Sequence, residues 1–191
     1  MKKLIGLLVG IVLVVGLAGL VSAGTSDSIT LKVKCVVTLS VAIDKTEYNF
    51  GEVAARTATI STETITVSND SLGRTEDYTI NSSTYTADWN LQTSDPSDTD
   101  ENLFSLQALL KSSQPSDGEF TGKAFLNTNA GDSQNMDIDF GTTDYTGDNV
   151  PAVAAGDRKI WFRLHTPGTT TTETEQSLSV TITANDATLI P

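Results

Sequence analysis

The chain has 191 residues, with 12 lysines and arginines against 24 aspartates and glutamates, one cysteine and one histidine. A net charge of −12 makes nucleic acid and anionic lipid poor partners, because both repel an acidic surface. One cysteine cannot build an internal disulfide framework, one histidine is too few for a histidine zinc site, and no Gly-x-Ser-x-Gly elbow accompanies it for a Ser-His-Asp centre.

In chain order, Lys2 and Lys3 precede an apolar run from Leu4 to Leu20, and Val21-Ser22-Ala23 gives a small-x-small exit before Gly24. This is the pattern of an export signal over residues 1–23, which leaves 24–191 as a single secreted or cell-surface domain. Left uncleaved, the same run is long enough to anchor the chain in a membrane, and that is the one membrane contact expected. From Ile29 to Ile43 every odd residue is apolar, through Leu31, Val33, Cys35, Val37, Leu39 and Val41. A period of two over this length predicts one half-buried strand of about 50 Å, with Cys35 packed on its apolar face.

Short strands follow at Tyr48–Val53, Thr59–Val67, Glu76–Ser82 and Ala87–Gln92. Later ones are expected at Leu103–Lys111, Phe120–Leu126, Ile160–His165 and Leu178–Ala184. Alternation recurs and no helical period does, so the expected fold is an all-β, antiparallel Ig-like sandwich of about nine strands. Long acidic loops join them over 93–102, 127–157 and 166–176. The second has room for a further hairpin, with Met136, Ile138 and Phe140 at period two, and Thr169–Thr172 reads as a polar connection within a hairpin.

The stretch from Tyr48 to Ile80 holds Tyr48-x-Phe50-Gly51-x-Val53, an alternating strand ending Ile65-Thr66-Val67-Ser68-Asn69, and Tyr78-Thr79-Ile80. This resembles the Hydin-type (ASH) Ig-like modules of prokaryotic surface proteins. The resemblance implies an Ig-like sandwich in structural or adhesive use and transfers no functional residues. Trp89-Asn90-Leu91 is similar to the motif of WxL cell-wall proteins, but Trp161-Phe162-Arg163-Leu164 does not supply the second copy.

No catalytic constellation emerges: Cys35 and His165 fall on inward and outward strand positions, and the expectation is a non-enzymatic protein. Asp95, Asp98, Asp100, Glu101 and Asn102 are the candidate metal ligands, because hard oxygens clustered on one loop suit calcium. Leu103 stands where an EF-hand loop would carry its glycine, so the pattern is not that motif. Asp137, Asp139, Asp144 and Asp148 form a second, more dispersed set. Asn69-Asp70-Ser71 and Asn81-Ser82-Ser83 have the form of glycosylation sequons.

Two functions fit an exported chain of this kind. One is a structural or adhesive envelope protein whose 29–43 strand either folds back into its own domain, crossing between sheets at Val36, or is added to the sheet of a neighbour so that the protein assembles with itself. In this it is similar to fibre subunits of the TasA/camelysin type, with no motif in common. The other is an extracellular module whose loops bind a glycan or another envelope protein.

Overall fold

The computed structural model describes residues 30, 32–33, 38–83, 86–126, 133–143, 145–152 and 156–187. The chain divides into two units, 1–36 and 37–191, and every element below belongs to the second. The expected export signal and Cys35 lie outside the described residues. Among the described residues no helix is long and apolar enough to cross a membrane.

The fold is all-β and built from two sheets, with nine strands among the described residues: β1 (Val41–Ile43), β2 (Ala58–Ile60), β3 (Ile65–Asn69), β4 (Glu76–Ser82), β5 (Asn90–Gln92), β6 (Leu103–Leu110), β7 (Gln134–Asn135), β8 (Arg158–His165) and β9 (Val180–Asp186). The larger sheet runs β1-β3-β8-β6-β5, with β2 also paired to β8, and the smaller runs β7-β4-β9. Between them lies a core of Val67, Tyr78, Ile80, Phe104, Leu106 and Ile160, among others. Alternation dictates which residues enter it: Tyr78 and Ile80 come from β4, and Leu106, Ala108 and Leu110 from the facing row of β6.

Strands β6 and β8 are buried on both faces. Their second row, Leu109 and Trp161, packs under Phe120 beside Ile60. Phe120 closes a one-turn 3-10 helix, Asp117–Phe120, which lies over the outside of the larger sheet. This explains why Leu109 and Leu110 are both apolar: each row of β6 has its own cover.

Several expected strands are corrected. The alternation over 29–43 forms a strand only at Val41–Ile43 among its described residues; Thr38–Ser40 are outside any strand. The ladder stops because its partner stops: Val41 pairs with Asn69, where β3 turns away into 70–73. Tyr48–Val53 makes no ladder; Tyr48 stacks edge-on against Phe50 and its hydroxyl accepts the Thr62 amide. Thr59–Val67 divides into β2 and β3, because Ser61–Thr64 bulges opposite Trp161 and Phe162, with the Phe162 amide donating to Ser61 Oγ at 3.1 Å.

Phe120–Leu126 is a turn with a single bridge from Phe125 to Gln107. Met136 and Phe140 are both buried, but through a turn at 137–140 that leaves Ile138 exposed, so no strand continues through these three; among the described residues of 127–157, β7 and a bridge from Val150 to Glu76 pair with β4. Strands β5 and β6 are parallel, which the expected antiparallel pattern did not include. The 166–176 segment passes from one sheet to the other and is no hairpin connection.

Phe120 and Ile138 provide a direct check. Phe120→Ala opens the outer cluster and is expected to cost about 3 kcal/mol, whereas Ile138→Ala, at an exposed site, should stay within about 0.5 kcal/mol. Urea denaturation of both variants gives the comparison. Equal losses would mean that Phe120 does not seal the outer face.

Candidate functional site

The acidic segment 93–102 joins two parallel strands. A parallel pair needs a crossover, because the chain must return to the starting edge. Asp95 begins that path and is held to the centre of the sheet. Its Oδ1 accepts Arg163 Nη1 at 2.9 Å and Ser105 Oγ at 2.9 Å, and His165 Nδ1 is buried 3.4 Å away without making a hydrogen bond. Arg163 Nε donates to Asp117 Oδ1 at 2.6 Å, and its Nη1 also donates to Gln107 Oε1 at 3.0 Å.

The placement follows from pairing. Gln107 stands opposite Arg163 and Ser105 opposite His165 on one row, whose inner counterpart is the apolar row of the core. The Arg163 side chain is only 9% exposed, while those of Asp95 and Asp117 are 38% and 65% exposed. Burial alone would push the Asp95 carboxyl up, but the hydrogen bonds from Arg163 and Ser105 outweigh it and hold the group below the usual range. For Arg163, burial works against the charge and the two carboxylates more than restore it.

The rest of the segment is fixed at one end of the sandwich. The Asp100 carboxylate accepts the Ser97 amide at 2.7 Å. Asn102, at φ 56°, exchanges two side-chain hydrogen bonds with Thr171, and Glu101 makes a parallel bridge with Thr169. Arg56 donates to the carbonyls of Asp98 and Gly168. Gly168 is packed so closely that a Cβ there would lie 2.2 Å from the Ser97 carbonyl oxygen.

Of the five expected metal ligands, Asp95 is thus drawn to Arg163, while the Asp100 and Asn102 side chains bind protein groups. Among the described residues, no three His, Cys, Asp or Glu side chains are grouped to hold a metal ion. In the second set, Asp137 caps the Asp139 amide, and Asp144 lies outside the described residues. Burial, then repulsion from Asp77 and Asp137, pushes the Asp148 carboxyl up. Asp77 is the member of this patch that local spacing could not reveal. Ser105 is fully buried and donates its hydroxyl to Asp95. Asn69 spends its side-chain amide on the Arg74 and Val150 carbonyls at 2.7 Å each, so the folded chain does not present this sequon.

A second polar group sits where the chain enters the sandwich. Glu76 opens β4 and is fully buried; its Oε1 accepts the Ser40 amide at 2.9 Å and its Oε2 has no partner. The Tyr78 hydroxyl, two residues along the same strand face, is also buried without a partner. Burial pushes the Glu76 carboxyl up, as it does the Tyr78 phenol, which the Glu76 charge raises further. Strands β1 and β9 come together at this side of the molecule. No family model, curated protein or solved structure matches the chain.

Two expectations follow. Removing both carboxylates in Asp95→Asn/Asp117→Asn strands a buried guanidinium and should cost about 3 kcal/mol. Arg163→Met leaves carboxylates that rehydrate, and should cost less than about 1.5 kcal/mol. Denaturation at neutral pH ranks the two variants, and a larger loss in Arg163→Met would overturn this account.

The second concerns pH. The folded Glu76 binds its proton more tightly than the unfolded residue, so its effect on stability is most favourable below the ordinary carboxylate value and declines as pH rises through the folded value. Asp95 has the opposite sign: its contribution is present above the ordinary value and lost as pH falls through the depressed one. Glu76→Gln should remove the decline toward neutral pH, and Asp95→Asn should remove the loss in acid, both read from denaturation midpoints between about pH 2 and 8.

Proposed function

We propose that this protein is an exported, non-enzymatic structural or adhesive component of a cell envelope, an Ig-like module that assembles with copies of itself through its N-terminal segment. The observation that carries this reading is the mismatch between sequence and ladder at the N-terminus. Apolar residues alternate from Ile29 to Ile43, yet among the described residues of that segment only Val41–Ile43 form a ladder with β3. An alternating face of this length is driven to burial. The sandwich unit begins at Val37, so most of that alternation precedes it. Addition of a strand to another chain's sheet satisfies both the apolar row and the backbone groups. Repeated head to tail, it yields an open filament.

The polar machinery of the sandwich suits this role. Arg163, Asp95, Asp117 and Gln107 are bonded to one another and to the scaffold, which fixes a crossover rather than presenting reactive groups. The acidic surface keeps such subunits soluble until a specific contact forms.

Light scattering of the exported chain should show concentration-dependent growth. A chain lacking residues 24–36, which retains the sandwich unit, should remain monomeric with its melting temperature nearly unchanged. A full chain that stays monomeric at every concentration would overturn the proposal and favour a ligand-binding module.

A further inference from the structure

Sheets end in edges, and an edge strand offers a row of unpaired backbone groups to any other chain. The edge strands here are unequal. Strands β1 and β5 end the larger sheet with three residues each, β2, also of three, pairs among the described residues only with β8, and β7 ends the smaller sheet with two. Such short edges pair weakly and are one of the ways proteins avoid unwanted association. The longest is β9, with seven residues, all of them paired to β4 on one side. Among the described residues no strand pairs with its other side.

Strand β9 guards that edge weakly, because its one charge, Asp186, stands at its last residue and pairs with Arg74. From Val180 to Asn185 it carries no proline, lysine or other charge, although these are the usual protections. Its inner row, Val180, Ile182 and Ala184, packs against the core but stays only partly buried, as does Leu178 before it. Val41 of β1 is in the same condition, and β1 and β9 come together at this seam. The core is therefore incompletely covered along one line.

We propose that the outer edge of β9 accepts residues 29–39 of a second copy of this chain as an added strand. This rests on the self-assembly reading above and names its acceptor. The donor matches in period: its odd residues would continue the inner row of β9 over the open seam, and its even residues would join Thr181, Thr183 and Asn185 on the outer face. It matches in charge as well. Lys32 and Lys34 fall on the even row, and the outer face of the acceptor sheet carries Asp77 opposite Asn185. Supply from a second copy, rather than from the same chain, accords with the path of the chain at Ser40. There the backbone is tied to Glu76 and Asp70, and Thr38–Ser40 do not pair with β9.

Cys35 is the only cysteine and serves as the probe. One exported chain keeps Cys35. A second, distinguished by mass, carries Cys35→Ser together with Val180→Cys, Ile182→Cys or Ala184→Cys. The two are mixed under mild oxidation, and Thr183→Cys on the opposite row is the control. Cross-strand partners on one face lie within disulfide reach and those on opposite faces do not. A bridge between the two chains is expected at one inner position, about tenfold above the Thr183→Cys control. Each variant is first shown to melt like the parent.

In a third chain that keeps Cys35 beside the β9 cysteine, a bridge that forms within the chain while none forms between the mixed chains would overturn the proposal, because the segment would then complete its own sandwich. Growth by light scattering with no bridge at any inner position would also overturn it, placing the acceptor elsewhere while leaving self-assembly intact. The absence of both growth and bridges would remove the proposal together with the reading it rests on.

Discussion

Strand β8 makes three of the five ladders of the larger sheet, to β2, β3 and β6. A strand so placed has neighbours on both sides, and here both of its rows are covered. The inner row, Ile160 and Phe162, meets the core; the outer row carries Trp161 and Arg163, each less than a tenth exposed. A guanidinium in that position cannot keep its charge without nearby acceptors, since an unpaired buried ion costs several kcal/mol. The Asp95 crossover and the 3-10 helix at Asp117 supply those acceptors and, with Phe120, cover the adjoining apolar patch. The parallel pairing of β5 with β6 is part of the same arrangement, because the connection between them runs past Arg163.

That dependence explains what local sequence could and could not disclose. Strands β4, β6, β8 and β9 are legible because alternation continues over seven or eight residues against partners of similar length. Between Asp95 and Arg163 lie 67 residues, and between Asp117 and Arg163 lie 45, so no spacing rule joins them. A reading confined to neighbours sees a run of oxygen ligands in 95–102, whereas in the fold their charges and carbonyls are divided among Arg163, Ser97, Arg56 and Thr171. Glu76 was legible as the first residue of a strand. Its burial was not, because nothing local indicates that Ser40 closes over it.

The misread segments share a cause. Met136, Ile138 and Phe140 are spaced like a strand, but buried residues four apart also suit a turn, and period alone does not separate the two. At Ser61–Thr64 the β-branched run continues through a bulge, because side-chain oxygens of Ser61 and Thr64 take over bonds the ladder would have made. Tyr48–Phe50 is ordered by its rings. In each case side chains do what the backbone ladder does elsewhere, and alternation records only the ladder.

The length of a ladder belongs to both of its strands, and this gives the N-terminus its meaning. β3 ends at Asn69, so β1 cannot extend toward Leu39 however regular its sequence. The smaller sheet, three strands against six, leaves the inner row of β9 half-covered at the seam where β1 runs out. One is an apolar row longer in sequence than the ladder its described residues make; the other is a long strand that pairs on one side among the described residues. They differ in sequence position by some 140 residues but are complementary in period and polarity. A fold that keeps its other edge strands to two or three residues and leaves β9 with seven, its one charge at the terminal Asp186, departs from the ordinary defence against association. Such a departure is expected where association is the function.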